Sequence, residues 1–147
     1  MSNERNEKTE HERIREFLKT RNPLNASSIE DEVTITTDDK SNPLHIFNRI
    51  IIDQVHRSCD DAHDYAVEIK PELTPEAIGQ ALCAAVILSK KRRTKAAVAF
   101  VRAKEIMKEA AKLLGVRLIE VGKEEVEERE RPIPYDHLPR RVREDAV

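Results

Sequence analysis

The sequence contains few glycine, cysteine and aromatic residues, and each shortage argues against a class of protein. Three glycines in 147 residues leave no glycine-rich loop of the kind that cradles a nucleotide phosphate. Cys59 and Cys83 lack the spacing of a disulfide framework and suit a reducing compartment. Aromatic residues make up only 3% of the chain, which is a poor basis for stacking single-stranded bases.

Long apolar runs and a strong charge imbalance are also missing. No apolar run reaches the roughly 20 residues of a membrane-spanning helix, and the polar, acidic stretch 1–15 lacks the apolar segment of a secretory signal. Charged residues make up 37% of the chain, yet its net charge is −2. A nucleic-acid contact would therefore need a local basic patch. We expect a cytoplasmic protein with no membrane association and no organic cofactor.

The chain has the length of one ordinary domain, and its hydrophobic pattern predicts an α/β fold. Helical spacing or strand-like alternation gives the order α-β-β-β-α-β-α-β. The last strand, helix and strand form a right-handed crossover unit, so we expect a mixed sheet of about five strands flanked by helices. The predicted divisions are a disordered N-terminus at 1–7, one domain at 8–122 and a charged, proline-containing tail at 123–147.

The predicted strand 64–70 carries an acid and a base where a core strand would carry apolar residues. Side chains alternate across a strand, so Glu68 and Lys70 share the face opposite Val67 and Ile69. A local conflict of this kind is typical of functional sites. Glu68 and Lys70 therefore need partners from elsewhere in the chain.

A hairpin between the strands predicted at 44–55 and 64–70 supplies a second carboxylate. If Asp60 and Asp61 form its turn, Asp53 lies directly opposite Glu68 on the same face. A slip of one residue would move Asp53 to the other face, so the prediction depends on this register. The same register sends four side chains to the opposite face, where they would build core: Ile50, Ile52, Val67 and Ile69.

Two neighbouring carboxylates predict a site for a hard divalent cation. Mg²⁺ prefers oxygen ligands and usually keeps several waters, so Asp53, Glu68 and the backbone carbonyl of Ile69 would suffice. Lys70 would orient or help to deprotonate an attacking water and offset the negative charge of a phosphodiester transition state. The spacing therefore favours phosphodiester hydrolysis with Mg²⁺ or Mn²⁺.

Asp53, then fourteen residues, then Glu68-Ile69-Lys70 resembles the motif of the PD-(D/E)xK nuclease superfamily, which includes restriction-endonuclease-like and Holliday-junction-resolvase-like proteins. The predicted order of elements is also that of the family's core, over residues 8–121. Ile52 departs from the pattern, because it stands where the name-giving proline would stand. The resemblance implies a Mg²⁺-dependent DNA endonuclease, with branched or structured DNA as a candidate substrate, working as a homodimer.

The resemblance also implies two supporting residues on helices. The family often carries a glutamine on the helix after the motif, and Gln80 is similar to that residue. An acidic residue on the first helix recurs in the family as a further metal ligand. Glu10 is our choice, because it falls near the apolar stripe of that helix, and Glu12 and Glu16 stay open.

A basic connection between the predicted helix 75–90 and the following strand is a candidate DNA contact. Its cations suit phosphate oxygens, although a solvated helix end explains them equally well. The predicted nucleic-acid-binding residues are Lys90, Lys91, Arg92, Arg93 and Lys95.

Other functions stay open. His56, Cys59 and His63 form a weaker zinc alternative that lacks a fourth ligand. A catalytically inactive DNA-binding or assembly protein on the same fold is the main alternative to a nuclease. A small α/β interaction protein with an accidental motif is the other, and it predicts that Asp53 and Glu68 lie on different faces.

Overall fold

The predicted order of helices and strands is confirmed. A computed structural model describes residues 3–36, 49–59 and 63–126. The elements are α1 (Asn3–Arg21), β1 (Ser28–Thr36), β2 (Arg49–Arg57), β3 (Asp64–Ile69), α2 (Pro75–Leu88), β4 (Thr94–Phe100), α3 (Glu105–Leu113), β5 (Arg117–Glu120) and α4 (Lys123–Val126).

The strands form one mixed five-stranded sheet in the order β1-β2-β3-β4-β5. The first three strands pair antiparallel as a meander. The last three pair parallel through crossovers that contain α2 and α3. Successive right-handed crossovers in one direction place their helices on the same face of the sheet. The predicted α/β fold with a mixed sheet flanked by helices is therefore present.

Two hydrophobic clusters lie on the two faces of the sheet. Ala77, Ala81 and Ala84 of α2 pack on one face, in a cluster that also takes in Ala111 of α3. Ile14 and Leu18 of α1 pack on the other face, together with Val126 of α4. The interior strand β4 serves both clusters, since its alternate side chains enter one or the other. Its alanines let helices approach closely from both sides.

The start of α2 is capped by the sequence Thr74-Pro75-Glu76. Thr74 has an extended backbone, and its side-chain oxygen accepts a hydrogen bond from the N–H of Ala77 at 3.2 Å. Pro75 occupies the first turn and Glu76 adds an acid there, which suits the positive end of the helix dipole. These contacts fix where the chain leaves the end of β3 and enters the helix.

The first two strands break their regular pairing at Glu32 and Asp53. The ladder pairs Asp31 with Gln54 and resumes with Val33 and Ile52, without the pair between them. Glu32 has a φ of 47°, a left-handed conformation that disfavours a residue with a β-carbon. The side chains change face at this break, because Gln54 reaches α1 whereas Ile52 packs in the α2 cluster.

This break makes the predicted core face wrong in one respect. Ile52 was expected to share a face with Val67 and Ile69. Instead Val67 and Ile69 pack in the α1 cluster, on the other side of the sheet from Ile52, and Ile50 is only partly buried. A uniform alternation along the strand cannot anticipate a residue that resets it.

Helices occupy both ends of the described residues, and the predicted domain limits stay a prediction. Helix α1 begins at Asn3, not near residue 8, because the glutamate, arginine and lysine of this stretch are good helix formers. At the other end α4 follows β5, and its Val126 is buried against α1. Residues 38–43, whose sequence is typical of a turn, lie outside the described residues, and so does the tail beyond Val126. No helix in the described part is long and apolar enough to cross a bilayer.

A buried polar chain attaches α1 to the first two strands. Gln54 donates to the carboxylate of Asp31 at 3.0 Å and to the backbone oxygen of Arg15 at 3.4 Å. Its amide oxygen lies 2.8 Å from Nε2 of His56. Arg15 also lies 3.4 Å from Asp31. Burial lowers the pKa of His56 to about 4, although the charge of Asp31 opposes the shift.

We expect His56 to make the fold acid-labile. An unfolded histidine has a pKa near 6.5, so the unfolded chain binds a proton that the folded chain excludes as the pH falls from about 6.5 to about 4. This difference removes about 3 kcal/mol of unfolding free energy across that window. Two-dimensional NMR of the imidazole checks the cause, since the His56 ring should stay neutral at pH 5. A ring that titrates near pH 6.5 would contradict it.

Candidate active site

The register between β2 and β3 brings the two predicted carboxylates together. Gln54 pairs with Val67, and the next pairs along the hairpin follow in step. Continuing by one position places Asp53 opposite Glu68. The register on which the prediction depended is confirmed, although residues 60–62 of the proposed turn lie outside the described part of the chain.

Asp53 occupies the point where β2 and β3 separate. One carboxylate oxygen, Oδ2, accepts a hydrogen bond from the backbone N–H of Ile69 at 2.7 Å. The other, Oδ1, lies 3.3 Å from Nε2 of His11 on α1. The Asp53 side chain thus replaces a backbone acceptor at the end of the ladder. A carboxylate bound at both oxygens has a defined orientation, which a metal ligand needs.

Glu68 is a buried acid with an unsatisfied oxygen. The residue is 9% exposed, and its buried Oε1 has no hydrogen-bond partner within the described residues. Burial raises the pKa of Glu68 to about 8, and the charge and hydrogen bond of Asp53 raise it further, against the opposing charge of Lys70. A like charge held this close disfavours ionisation of Glu68. Glu68 therefore has one acid and one base as charged neighbours, and burial together with Asp53 outweighs the charge of Lys70.

The donor set fits a small hard cation. Asp53 and Glu68 offer carboxylate oxygens at the carboxyl end of β3, and the unsatisfied Oε1 of Glu68 is an acceptor without a donor. No cluster of three histidine, cysteine, aspartate or glutamate residues occurs in 3–36, 49–59 and 63–126. Such a cluster is not required for Mg²⁺, which keeps much of its water shell. The carbonyl of Ile69 as a ligand stays a prediction.

Lys70 follows the last residue of β3 and is held through its backbone. Its N–H donates to the backbone oxygen of Ala99 at 3.0 Å, which extends the pairing with β4 by one step. Its charge lowers the pKa of Glu68, so the ammonium lies within electrostatic reach of the carboxylate. The side chain is half-buried. Asp53, Glu68 and Lys70 therefore lie at one end of the sheet.

Two helical residues of the predicted site occupy other surroundings. Gln80 is exposed on the side of α2 that lines an open cleft of about 740 Å³ with Ile51 and Cys83. Glu10 accepts two hydrogen bonds from the guanidinium of Arg102, at 2.9 and 3.1 Å. Their roles in the site stay predictions, as do those of the open alternatives Glu12 and Glu16, which line a separate surface cleft beside Phe17.

The predicted basic connection lies at the other end of the strands. Asp64, the first residue of β3, pairs with Thr94 of β4, whereas Glu68 pairs with Val98. Four residues at about 3.3 Å each separate these ends by roughly 13 Å. Arg92 is engaged by Asp64 at 2.8 Å and by the oxygen of Ser58 at 2.7 Å. The other cations of the connection, Lys90, Lys91, Arg93 and Lys95, are exposed.

The structure adds no support for the weaker alternative, a zinc site formed by His56, Cys59 and His63. His56 uses Nε2 to contact Gln54, on the α1 side of the sheet. Cys59 is an exposed free thiol, and His63 packs its ring against Tyr65. The three residues form no metal-ligand cluster among the residues that the structure describes.

Comparison with known proteins adds a fold likeness. No protein-family model matches the sequence, and no curated protein matches it. A crystallised protein of unknown function, AF1548, is similar with a TM-score of 0.54 and 15% identity, over 75% of this chain and 56% of its own. A repair endonuclease from Pyrococcus abyssi gives a TM-score of 0.48 and 13% identity, over 74% and 44%.

The likeness to AF1548 shows a shared fold. At 15% identity it carries no information on residues or activity, and the likeness to the repair endonuclease is weaker still. The chain spans about half the length of the two solved structures, 56% and 44%. The chemistry of the site must therefore be argued from this chain's own residues.

Two residues near the site were missed in the sequence. His11 contacts Asp53, and Arg102 binds Glu10. His11 fell next to Glu10 beside the apolar stripe of the first helix, and this was the available signal. No sequence signal pointed to Arg102, because it lies 92 positions from Glu10 in a stretch without a periodic pattern.

We expect Glu68→Gln to stabilise the metal-free protein. An unfolded glutamate has a pKa near 4.5, whereas folding raises that of Glu68 to about 8. Its ionisation therefore removes stability as the pH rises from 4.5 through 8. At pH 8.5 in chelator, E68Q should gain on the order of 5 kcal/mol in denaturant unfolding.

The matched control for this comparison is Glu72→Gln, an exposed acid just beyond β3, which should change stability by less than about 0.5 kcal/mol. Mg²⁺ should raise the melting temperature of the wild type and of E72Q, because a ligand that binds the folded state stabilises it. Mg²⁺ should not raise the melting temperature of E68Q. Equal stability of E68Q and wild type at pH 8.5 would contradict the inference that ionised Glu68 beside Asp53 destabilises the metal-free fold.

Proposed function

We propose that this protein is a divalent-metal-dependent endonuclease of the PD-(D/E)xK type, which hydrolyses phosphodiester bonds in DNA. Asp53 and Glu68 would hold Mg²⁺ or Mn²⁺ together with the carbonyl of Ile69, and Lys70 would be the catalytic lysine. A DNA substrate is consistent with the intracellular, DNA-associated location expected from the sequence.

One observation carries the proposal: the strand register sets two carboxylates opposite each other where the strand pair separates, and one of them has a buried oxygen with no donor among the described residues. A structural ion pair would match each acid with a base. Here Lys70 is the nearby base of Glu68, and the other neighbour is a second acid. Sites tuned in this way are typical of catalysis.

The chain's own groups have separable tasks. The N–H of Ile69 and the imidazole of His11 orient Asp53, so its position does not depend on a ligand. When bound, a Mg²⁺ ion lowers the pKa of a coordinated water and offsets charge on a phosphate. Lys70 donates hydrogen bonds to the water or to the phosphate oxygens and stabilises the negative charge that develops there. The Glu68 carboxylate is held in position by its burial in the protein.

A cleavage assay tests the proposal. The wild type should cut supercoiled, linear or four-way-junction DNA with Mg²⁺ or Mn²⁺ and lose activity in chelator. Asp53→Asn, Glu68→Gln and Lys70→Met should each reduce the rate on the order of a hundredfold or more. Glu72→Gln is the matched control and should cut at the wild-type rate. Products are followed on denaturing gels.

The outcomes separate the nuclease from the alternatives. Metal-independent behaviour that is equal in wild type and variants would sink the nuclease. Binding of DNA without cleavage under all these conditions would identify the inactive DNA-binding protein on the same fold. Preference for the junction over the linear duplex would assign branched DNA as the substrate class.

We also propose that the protein is a homodimer that uses the outer side of α2. Gly79, Cys83 and Val86 recur at helical spacing on that side, and the first two line a cleft with Ile51. Val86 is 65% exposed and Ile51 is 59% exposed. A contiguous apolar strip on a surface helix is typical of an interface between subunits.

Val86→Glu should disrupt this dimer. A charge buried at the centre of an apolar interface costs several kcal/mol, so the variant should sediment as a monomer where the wild type sediments at twice the chain mass. Leu113→Glu is the matched control, since Leu113 is 88% exposed on α3 and lies off the strip. Analytical ultracentrifugation gives the masses. A monomeric wild type at micromolar concentration would contradict the dimer.

A further inference from the structure

A second cluster of cations surrounds Tyr65, at the end of the sheet remote from the carboxylate pair. We call this cluster the Tyr65 patch: His63, Tyr65, Arg93, Lys95 and Arg117. Tyr65 on β3 pairs with Lys95 on β4, and Arg117 begins β5. Register partners in adjacent strands share a face, so the patch crosses three neighbouring strands.

Tyr65 organises the patch. The guanidinium of Arg117 lies 5.9 Å from the centre of its ring, and Nη1 of Arg117 donates to its hydroxyl at 3.3 Å. The ring of His63 meets the ring of Tyr65 edge-on at 4.9 Å between centroids. These contacts hold Arg117 over a partly buried aromatic side chain rather than leaving it free in solvent.

Within the described part of the chain, the positive charge of the patch is not matched by acids. Most other arginines of the described core are ion-paired, with Arg57 bound to Glu30 and Arg102 to Glu10 as examples. Among the described residues, no carboxylate lies within ion-pair distance of Arg93, Lys95 or Arg117, and the neighbouring acid Asp64 is bound to Arg92.

The cations of the patch also lie close enough together to act electrostatically on the same imidazole, that of His63. Burial lowers the pKa of the His63 imidazole, and the charges of Lys95 and Arg93 lower it further, with Arg117 adding to them against Asp64. Three like charges close to one ring repel each other unless a polyanion binds. In a chain with a net charge of −2, such a local excess is not a bulk property of the surface.

We propose that the Tyr65 patch binds the phosphate backbone of DNA, as a second contact that is separate from the carboxylate pair. This inference rests on the proposed function, because it assigns both contacts to one nucleic acid. Tyr65 and Lys70 are five residues, or about 17 Å, apart on one extended segment, and their side chains lie on opposite faces of the sheet.

The test is the salt dependence of DNA binding. A fluorescein-labelled duplex of 30 base pairs is titrated in chelator, so that no cleavage occurs. Lys95→Gln with Arg117→Gln removes two cations, which should reduce the slope of log K against log salt by about 1.8 and the affinity about tenfold at 100 mM salt. Lys112→Gln with Lys123→Gln is the matched control, because both lysines are exposed and lie outside the patch.

A charge-conserving variant protects the test against misfolding. Lys95→Arg with Arg117→Lys keeps both charges, so it should retain the wild-type slope while the double glutamine variant does not. Equal slopes for wild type and both glutamine doubles would overturn the proposal, and so would a wild type that does not bind the duplex at all. An acidic protein partner would then be the ligand to test.

The two proposals fail in distinguishable ways. If the patch variants lose affinity but no DNA is ever cut with Mg²⁺ or Mn²⁺, the patch stands and the nuclease falls. If DNA is cut in a metal-dependent way and the slope of log K against log salt is unchanged by the Lys95 and Arg117 substitutions, the nuclease proposal stands and the patch proposal falls.

Discussion

The contact between Asp53 and Glu68 is the constraint on which the rest of the site depends. Two acids held together in a half-buried position oppose folding unless their surroundings fix them. Three parts of the chain do so: the strand register that opposes the two residues, the N–H of Ile69 that binds Asp53, and α1, which brings His11 to its other oxygen. Each of these is an ordinary folding interaction. Together they hold a local electrostatic strain that only a cation or a proton relieves.

Much of this arrangement follows from local pattern. The β-branched alternation of 64–70, the apolar run of β4 and the capping signal at Thr74 each act within a few residues, so they could be recognised in sequence. The register could also be predicted, because one choice of turn placed two acids opposite each other. The break at Glu32 could not be predicted, since a left-handed φ in a charged residue does not change the hydrophobicity pattern of the sequence. The partnership of Glu10 with Arg102 was out of reach for a related reason: it depends on tertiary packing between distant segments.

Charge is distributed unevenly in this protein in a way that its composition conceals. Acids and bases nearly cancel in number, and exposed ion pairs such as Arg57 with Glu30 contribute little to stability individually. The informative places are those where the pairing stops. At one end of β3 a buried acid faces a second acid. At the other end Arg93, Lys95 and Arg117 have no carboxylate within ion-pair distance among the described residues. A single strand of six residues thus separates a site suited to a cation from a surface suited to an anion.

The break at Glu32 and Asp53 also affects how the molecule unfolds. Because side chains change face there, the ribbon of β1 and β2 contributes Ile35 and Ile52 to one hydrophobic cluster, and it contributes Asp31 and Gln54 to the contacts with α1 on the opposite side. The two layers of helices are therefore joined through the same pair of strands as well as through β4. Loss of either layer would remove support from the other, which makes the domain a single cooperative unit rather than two independently melting halves.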